Sequence, residues 1–339
     1  MKNYIYFVFF LTISCSASYP DSQLHKGILA YNTGDYHTAV KYFSKSINRS
    51  PENPAHYAYR GHSYAELGEI HLAVNDYNIA ISLEPNNPRL YFYLGLLFYE
   101  LKKYSMAIEN YTRAIQLNKQ YIDAYANRGW AHIKSDNFND AVSDFQFILK
   151  DDPQFTPALT GMGRVMLAKK KVREAQEYLQ VAYQNEPNSN PVVSLYADAQ
   201  LAAKEYSSAL QLYTNALRLK PNDVGSINGM GYALSELGNK KQALHAFSSA
   251  LKIEPYNIES LNNRAFTYYE IGNFVESIKD YNMAITIRSD IPELYFGRSQ
   301  VYQRLNKCRL ALIDAENAIR LEQNNLRYKR NVLSIKQCQ

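Results

Sequence analysis

The feature that most constrains this chain is the spacing of its prolines. Of the 12 prolines, Pro51, Pro85, Pro153, Pro187, Pro221 and Pro255 are separated by multiples of 34 residues. The others (Pro20, Pro54, Pro88, Pro157, Pro191 and Pro292) stand at the opening of the following unit. All of them therefore fall at one seam of a 34-residue period. Proline stops one helix, because it lacks an N–H and clashes with the preceding turn, and it is preorganised for the first turn of the next. A fixed period of this size is the mark of a repeat array, not of a single packed globule.

Small residues keep the same period. Gly27, Gly61, Gly95, Gly129, Gly163 and Gly231 form one column, and Gly34, Gly68, Gly238 and Gly272 a second one seven residues later. Ala39, Ala73, Ala107, Ala141, Ala175, Ala209, Ala243 and Ala311 form a third, broken by Ser277. Small side chains at fixed places imply helices in close approach, where a larger group costs about 1–3 kcal/mol. The second glycine column suits a turn between two helices. In this pattern the chain resembles the tetratricopeptide repeat, seen well in PAHYAYRGHSYAELGEIHLAVNDYNIAISLEPNN from Pro54.

The resemblance implies an all-α fold, a right-handed α-solenoid of nine 34-residue helix-turn-helix repeats. The units are 20–53, 54–87, 88–121, 122–155, 156–189, 190–223, 224–257, 258–291 and 292–325, followed by a capping helix over 326–339. Helices this short are marginal alone, so each unit must bury its apolar face on its neighbours. The 30 tyrosines then have a place, as large packing residues with polar tips in recurrent columns. Departures gather late, at Ser277, Ser289, Ser299, Ala315 and Gln323.

Composition narrows the function. A chain that is 46% hydrophobic and 20% charged can bury a core. Its net charge of +5 is mild and does not call for a nucleic-acid partner. Three cysteines are too few for a disulfide-built fold or a four-cysteine zinc site. The seven histidines contain no H-E-x-x-H, and no Walker loop, nucleophile elbow or dinucleotide fingerprint is present. No metal, cofactor or catalytic residue is therefore expected.

Residues 1–18, MKNYIYFVFFLTISCSAS, have the three regions of a secretory signal: Lys2, an apolar stretch from Ile5 to Ile13, then small residues. Two processing routes stay open: cleavage after Ala17 or Ser18, or lipidation at Cys15 behind Ser14. Either predicts an exported protein, periplasmic, anchored at the outer membrane or secreted, that meets a membrane only through a lipid.

Four repeats carry an Arg on the first helix and an Asp sixteen residues later on the second: Arg60/Asp76, Arg128/Asp144, Arg264/Asp280 and Arg298/Asp314. Recurrence at one spacing reads as a structural ion pair joining two helices, not as acid–base machinery. Cys308 opens a second helix and Cys338 lies near the end of the cap. Stacking would bring these ends together, so a Cys308–Cys338 disulfide is expected in an oxidising compartment.

In the family that this chain resembles, first helices line a groove. Transferred to this sequence, the inward positions place Tyr59, Phe92, Tyr93, Leu96, Tyr99, Asn127 and Trp130 in one patch. Tyr232, Asn263, Phe266, Tyr269 and Phe296 make another. Acids on the same positions (Asp21, Glu66, Glu100, Asp123, Asp198, Glu236, Glu259, Glu270, Glu293) outnumber the bases Arg89, Lys134, Arg164 and Arg304. The expected partner is a neutral or basic polypeptide segment with apolar anchors, and no nucleic acid. The expected function is a non-catalytic scaffold for protein–protein interaction, serving envelope assembly or secretion. The alternative is a regulatory or recruiting subunit of an envelope enzyme acting on wall or surface polymer.

Overall fold

The structure is a computed structural model that describes residues 22–336. The 1–18 segment with Cys15, Asp21 and Cys338 lie outside the described residues. Those described form 19 helices and no strand. They fall into two compact units that divide at Lys169 and Lys170. The first unit contains α1 (Ser22–Asn32), α2 (Tyr36–Arg49), α3 (Pro54–Glu66), α4 (Ile70–Leu83), α5 (Pro88–Glu100), α6 (Tyr104–Leu117), α7 (Ile122–Lys134), α8 (Phe138–Asp151) and α9 (Thr156–Ala168). The second contains α10 (Val172–Asn185), α11 (Asn190–Ala202), α12 (Tyr206–Leu219), α13 (Val224–Glu236), α14 (Lys240–Ile253), α15 (Ile258–Glu270), α16 (Phe274–Ile287), α17 (Pro292–Arg304), α18 (Cys308–Leu321) and α19 (Leu326–Lys336). Each 34-residue period holds one odd-numbered and one even-numbered helix, and the division falls in the turn of the fifth repeat.

Local chemistry sets the helix boundaries. Pro54 and Pro88 occupy the first turn of α3 and α5, where their missing N–H costs nothing. The Asn53 side chain accepts from Ala55 N at 3.0 Å, and Asn87 accepts from Arg89 N at the same distance. Between the helices of a repeat the chain passes through one left-handed residue. Gly68 takes that place at φ +80°, whereas Lys102, Asp136, Lys170, Lys204 and Asn306 take it with a side chain at φ between 54° and 64°.

Packing explains the first glycine column. A Cβ on Gly129 would stand 2.6 Å from the ring of Phe145, and one on Gly161 would collide with the other side of that ring. Phe145 is thus sandwiched between its own repeat and the next, with no exposed surface. Phe43, Tyr77, Tyr111, Tyr213, Phe247 and Tyr281 occupy the same place in other repeats and are equally buried. Each such ring stabilises its unit by about 1.5–3 kcal/mol. Tyrosine adds a hydroxyl needing a partner: Tyr77 Oη lies 2.6 Å from His62 Nδ1, and Tyr213 donates to Asp198 at 2.7 Å. Tyr111 Oη is buried with no hydrogen-bond partner.

The late departures are absorbed. Ser277 is buried and donates to the Ala265 carbonyl at 2.7 Å, and buried Ser299 accepts from Asn331 on α19 at 2.7 Å. Helix α19 lays Tyr328, Val332 and Ile335 on α17 and α18 and turns Lys329 and Arg330 outward. No helix among the described residues is long and apolar enough to cross a membrane.

Candidate partner-binding face

The four Arg/Asp pairs do more than join two helices. Arg60 Nε and Nη2 donate to both oxygens of Asp76 at 2.7 Å, while Nη1 donates to Ser44 Oγ of the preceding repeat at 3.2 Å. Arg128 repeats this with Asp144 (3.0 and 2.6 Å) and Thr112 (3.0 Å). Arg264 does so with Asp280 and Ser248, and Arg298 with Asp314 and Asn282. Each guanidinium therefore ties a first helix to its own second helix and to the one before. Hydrogen bonding to Asp76 raises the Arg60 pKa, so the guanidinium stays charged. Rings of Tyr57 and Tyr64 flank Arg60, and Tyr295 and Tyr302 flank Arg298. The acceptor sixteen residues before each Arg was missed in the sequence, although the polar set Ser44, Thr112, Ser248 and Asn282 keeps the period.

Where the clamp is replaced by Leu94 and Asn110, a cleft of about 1260 Å³ opens between α4, α5 and α6, floored by Val74, Leu94 and Phe98.

First helices of neighbouring repeats touch one another within each unit, which defines a continuous first-helix face there. In the first unit Tyr93, Tyr99, Asn127 and Trp130 lie half-buried on it. Tyr93 meets the His62 ring edge-on at 4.4 Å, and Trp130 leans on Phe145 at 6.1 Å. His62 is fully enclosed, and burial lowers its pKa to about 3, so it stays neutral. Asn127 donates to its own helix, at the Asp123 carbonyl.

In the second unit Tyr232 and Phe266 are each 39% exposed and are the most open aromatic members of the expected patch. Asn263 donates to Asn228 at 3.3 Å, joining α15 to α13. Half-buried Tyr269 accepts from Arg304 at 3.3 Å, and the guanidinium lies 5.9 Å from its ring.

Four expected groove residues are placed elsewhere. Tyr59, Phe92, Leu96 and Phe296 are all less than a tenth exposed and belong to the core. Tyr59 stacks on Phe43 at 5.3 Å, and Phe92 is covered by Tyr111 and Tyr121. Leu96 joins the cluster around α5, and Phe296 lies under Arg327 and against Tyr328. Neighbouring helices and turns cover their side chains, which removes them from any partner.

Cys308 is disulfide-bonded, with its partner outside the described residues. No cluster of three or more His, Cys, Asp or Glu suited to a metal occurs among the described residues.

Comparison with known families agrees with this architecture. A TPR repeat model matches residues 61–102 and 95–136, and two Tetratricopeptide repeat models match 132–199 and 20–53 with 224–257. The chain belongs to the tetratricopeptide-repeat family. No curated protein matches it. Among solved structures, PilF of Pseudomonas aeruginosa is similar at 17% identity and TM-score 0.53, over 63% of this chain and 97% of that one. MamA is similar at 24% identity and TM-score 0.46, over 50% and 97%. YrrB, described as a TPR protein with an unusual peptide-binding site, is similar at 21% identity and TM-score 0.44, over 55% and 96%. At 17% identity the likeness to PilF is one of fold.

Proposed function

We propose that this protein is an exported, non-catalytic scaffold that binds a polypeptide segment on its first-helix faces, in assembly or secretion at a cell envelope. Membership of a family whose repeats typically act as protein-interaction scaffolds supports the general reading. The observation that carries it to this chain is the set of partly exposed aromatic side chains on first helices, with Trp130 in one unit and Tyr232 and Phe266 in the other. Rings left half in water are costly to solvate and become favourable once a partner covers them. Export and an envelope location rest on the signal-like segment 1–18, with lipidation at Cys15 or cleavage beyond it as its two outcomes. A neutral or basic segment with apolar anchors suits the acidic balance of these faces.

The test is a quantitative pull-down from native envelope extract with residues 19–339 as bait. Two comparison baits carry Tyr93→Ala, Tyr99→Ala and Trp130→Ala, or Tyr232→Ala and Phe266→Ala, each verified as helical by circular dichroism. A partner held by the parent and lost by either comparison bait supports the reading. Equal capture by all three removes the first-helix faces from it. A captured enzyme whose rate changes on binding would shift the function to recruitment or regulation of that enzyme.

A further inference from the structure

The surplus charge of the molecule is gathered at one place. From Arg304 onward the chain has eight bases and three acids, an excess equal to the net charge of +5. Helix α19 alone, LRYKRNVLSIK, has four bases and no acid. Local stability does not ask for them all, because Lys329 stands in the first turn, where the positive end of the helix dipole disfavours a cation.

Some bases at this end are engaged or balanced. Arg304 is bonded to Tyr269, and Arg309 and Arg320 share one side of α18 with Glu316. Arg327 lies over the Phe296 ring, and Glu293 and Glu322 gather with it around the Tyr328 hydroxyl. Lys329, two residues on, points across the helix from that group. Lys329, Arg330 and Lys336 are exposed, and no ion-pair partner of theirs is present among the described residues. Tyr328 packs with Ala318, and Ile335 with Ala311, so α18 and α19 run antiparallel and Lys307, the N-cap of α18, adjoins the Lys336 end.

Two leucines lie among these bases. Leu326 is 66% exposed and Leu333 63%, and seven residues place them on one line about 10 Å long. Lys329 and Lys336 border that line on one side and Arg330 on the other. A cap that only solvates the end of an array needs a polar outer face, which these leucines interrupt.

The repeat register argues against another helix as the occupant. Leu333 stands in the Gly129 column, held elsewhere by glycine, alanine or serine, where a first helix receives its own second helix. At Gly129 even a Cβ would stand 2.6 Å from the Phe145 ring. Lys329 takes a place that is apolar in repeats two to nine, from Tyr57 to Tyr295. This side of α19 is therefore closed to a second helix of the family's kind, whether a partner's or another copy's. A nucleic acid would engage the bases and leave the leucines in water. An anionic lipid surface accommodates both, with phosphates for the bases and the acyl boundary for the leucines.

We infer that α19 is an interfacial contact with an anionic membrane, Leu326 and Leu333 entering the headgroup boundary while Lys329, Arg330 and Lys336 meet lipid phosphates. At 11 residues the helix lies on the bilayer and does not span it. The contact is independent of the scaffold reading and needs no acyl chain on Cys15.

The experiment floats residues 19–339 with vesicles of phosphatidylcholine, alone or mixed in equal parts with phosphatidylglycerol, at about 50 and 200 mM salt. Partition onto the anionic vesicles should be at least about tenfold stronger than onto the neutral ones and should weaken with salt. Lys329→Gln with Arg330→Gln and Lys336→Gln should remove that preference and its salt dependence. Leu326→Ser with Leu333→Ser should lower partition and keep the salt dependence. Lys41→Gln with Lys241→Gln and Lys252→Gln, at exposed places on second helices, changes net charge equally and should do neither. All variants alter exposed side chains, and circular dichroism melts verify that each remains folded. Equal partition onto both vesicles, equal effects of the two glutamine sets, or no flotation at all overturns the inference. So does tighter binding to duplex RNA or polyglutamate that requires the three bases and ignores the leucine pair, which would reassign the site to a soluble polyanion.

Discussion

Asp144→Ala leaves the Arg128 guanidinium, 19% exposed, with Thr112 as its remaining hydrogen-bond acceptor of the three-part clamp. A buried charge that loses its partner keeps its desolvation cost and loses the attraction offsetting it, for which about 3 kcal/mol is expected. Removing both charges should cost far less. The seventh repeat already uses Met230 and Ala246 in these places, so Arg128→Met with Asp144→Ala grafts a solution that the chain itself employs. For that pair about 1 kcal/mol or less is expected, because the methionine stem retains most of the packing. Burial is the larger influence on the Asp144 carboxyl and raises its pKa against the pull of Arg128, which is consistent with a pair whose net contribution is small. Repeat arrays open locally, so the readout is native-state hydrogen exchange of α6, α7 and α8 together with urea melts followed by circular dichroism. If the single and double variants lose the same stability, the clamp is not the buried-charge device described above.

Further expectations follow from individual contacts. Tyr111→Phe removes a buried hydroxyl without a partner and should stabilise by about 1 kcal/mol, whereas Tyr213→Phe removes a hydroxyl that donates to Asp198 and should destabilise by a similar amount; thermal melts of the two should shift in opposite directions. His62 is neutral in the fold down to pH about 3, whereas the unfolded chain protonates it near its ordinary value of 6.5. Stability is therefore complete above that value and lost as pH falls below it, by about 1.4 kcal/mol per pH unit, and a melt series from pH 7 to 4 should show a shallower loss in His62→Gln. For Cys308, pairing with Cys338 predicts that Cys308→Ser and Cys338→Ser lower the melting temperature of the oxidised protein alike, through about 3–4 kcal/mol of loop-closure entropy. Both should leave the reduced protein unchanged, and a matching effect of Cys15→Ser instead would reassign the bond.

Much of the fold is legible in the sequence because its determinants are local and repeated. Proline seams, the left-handed turn column and the glycine seats for Phe145 and Tyr111 each recur at one spacing. The Arg/Asp clamps were legible for the same reason. The binding face was less so, since an inward position does not say whether a ring reaches solvent or a neighbour. Phe92 is covered because Tyr121 stands in the turn before α7, and Phe296 because α19 brings Arg327 and Tyr328 over it. None of Tyr121, Arg327 and Tyr328 belongs to a periodic column, although Tyr111, which also packs on Phe92, does. The division at Lys169 and Lys170 was also hidden, because the 34-residue phase runs through it unchanged.

The most direct test of the central claim is to place a photo-crosslinking phenylalanine analogue at single positions and identify where a captured partner attaches. Trp130 and Tyr232 report the first-helix faces, and the exposed second-helix residues Met106 and Val275 report the opposite side. The account predicts crosslinks at Trp130 or Tyr232 and none at Met106 or Val275. Attachment at Met106 or Val275 alone would contradict it.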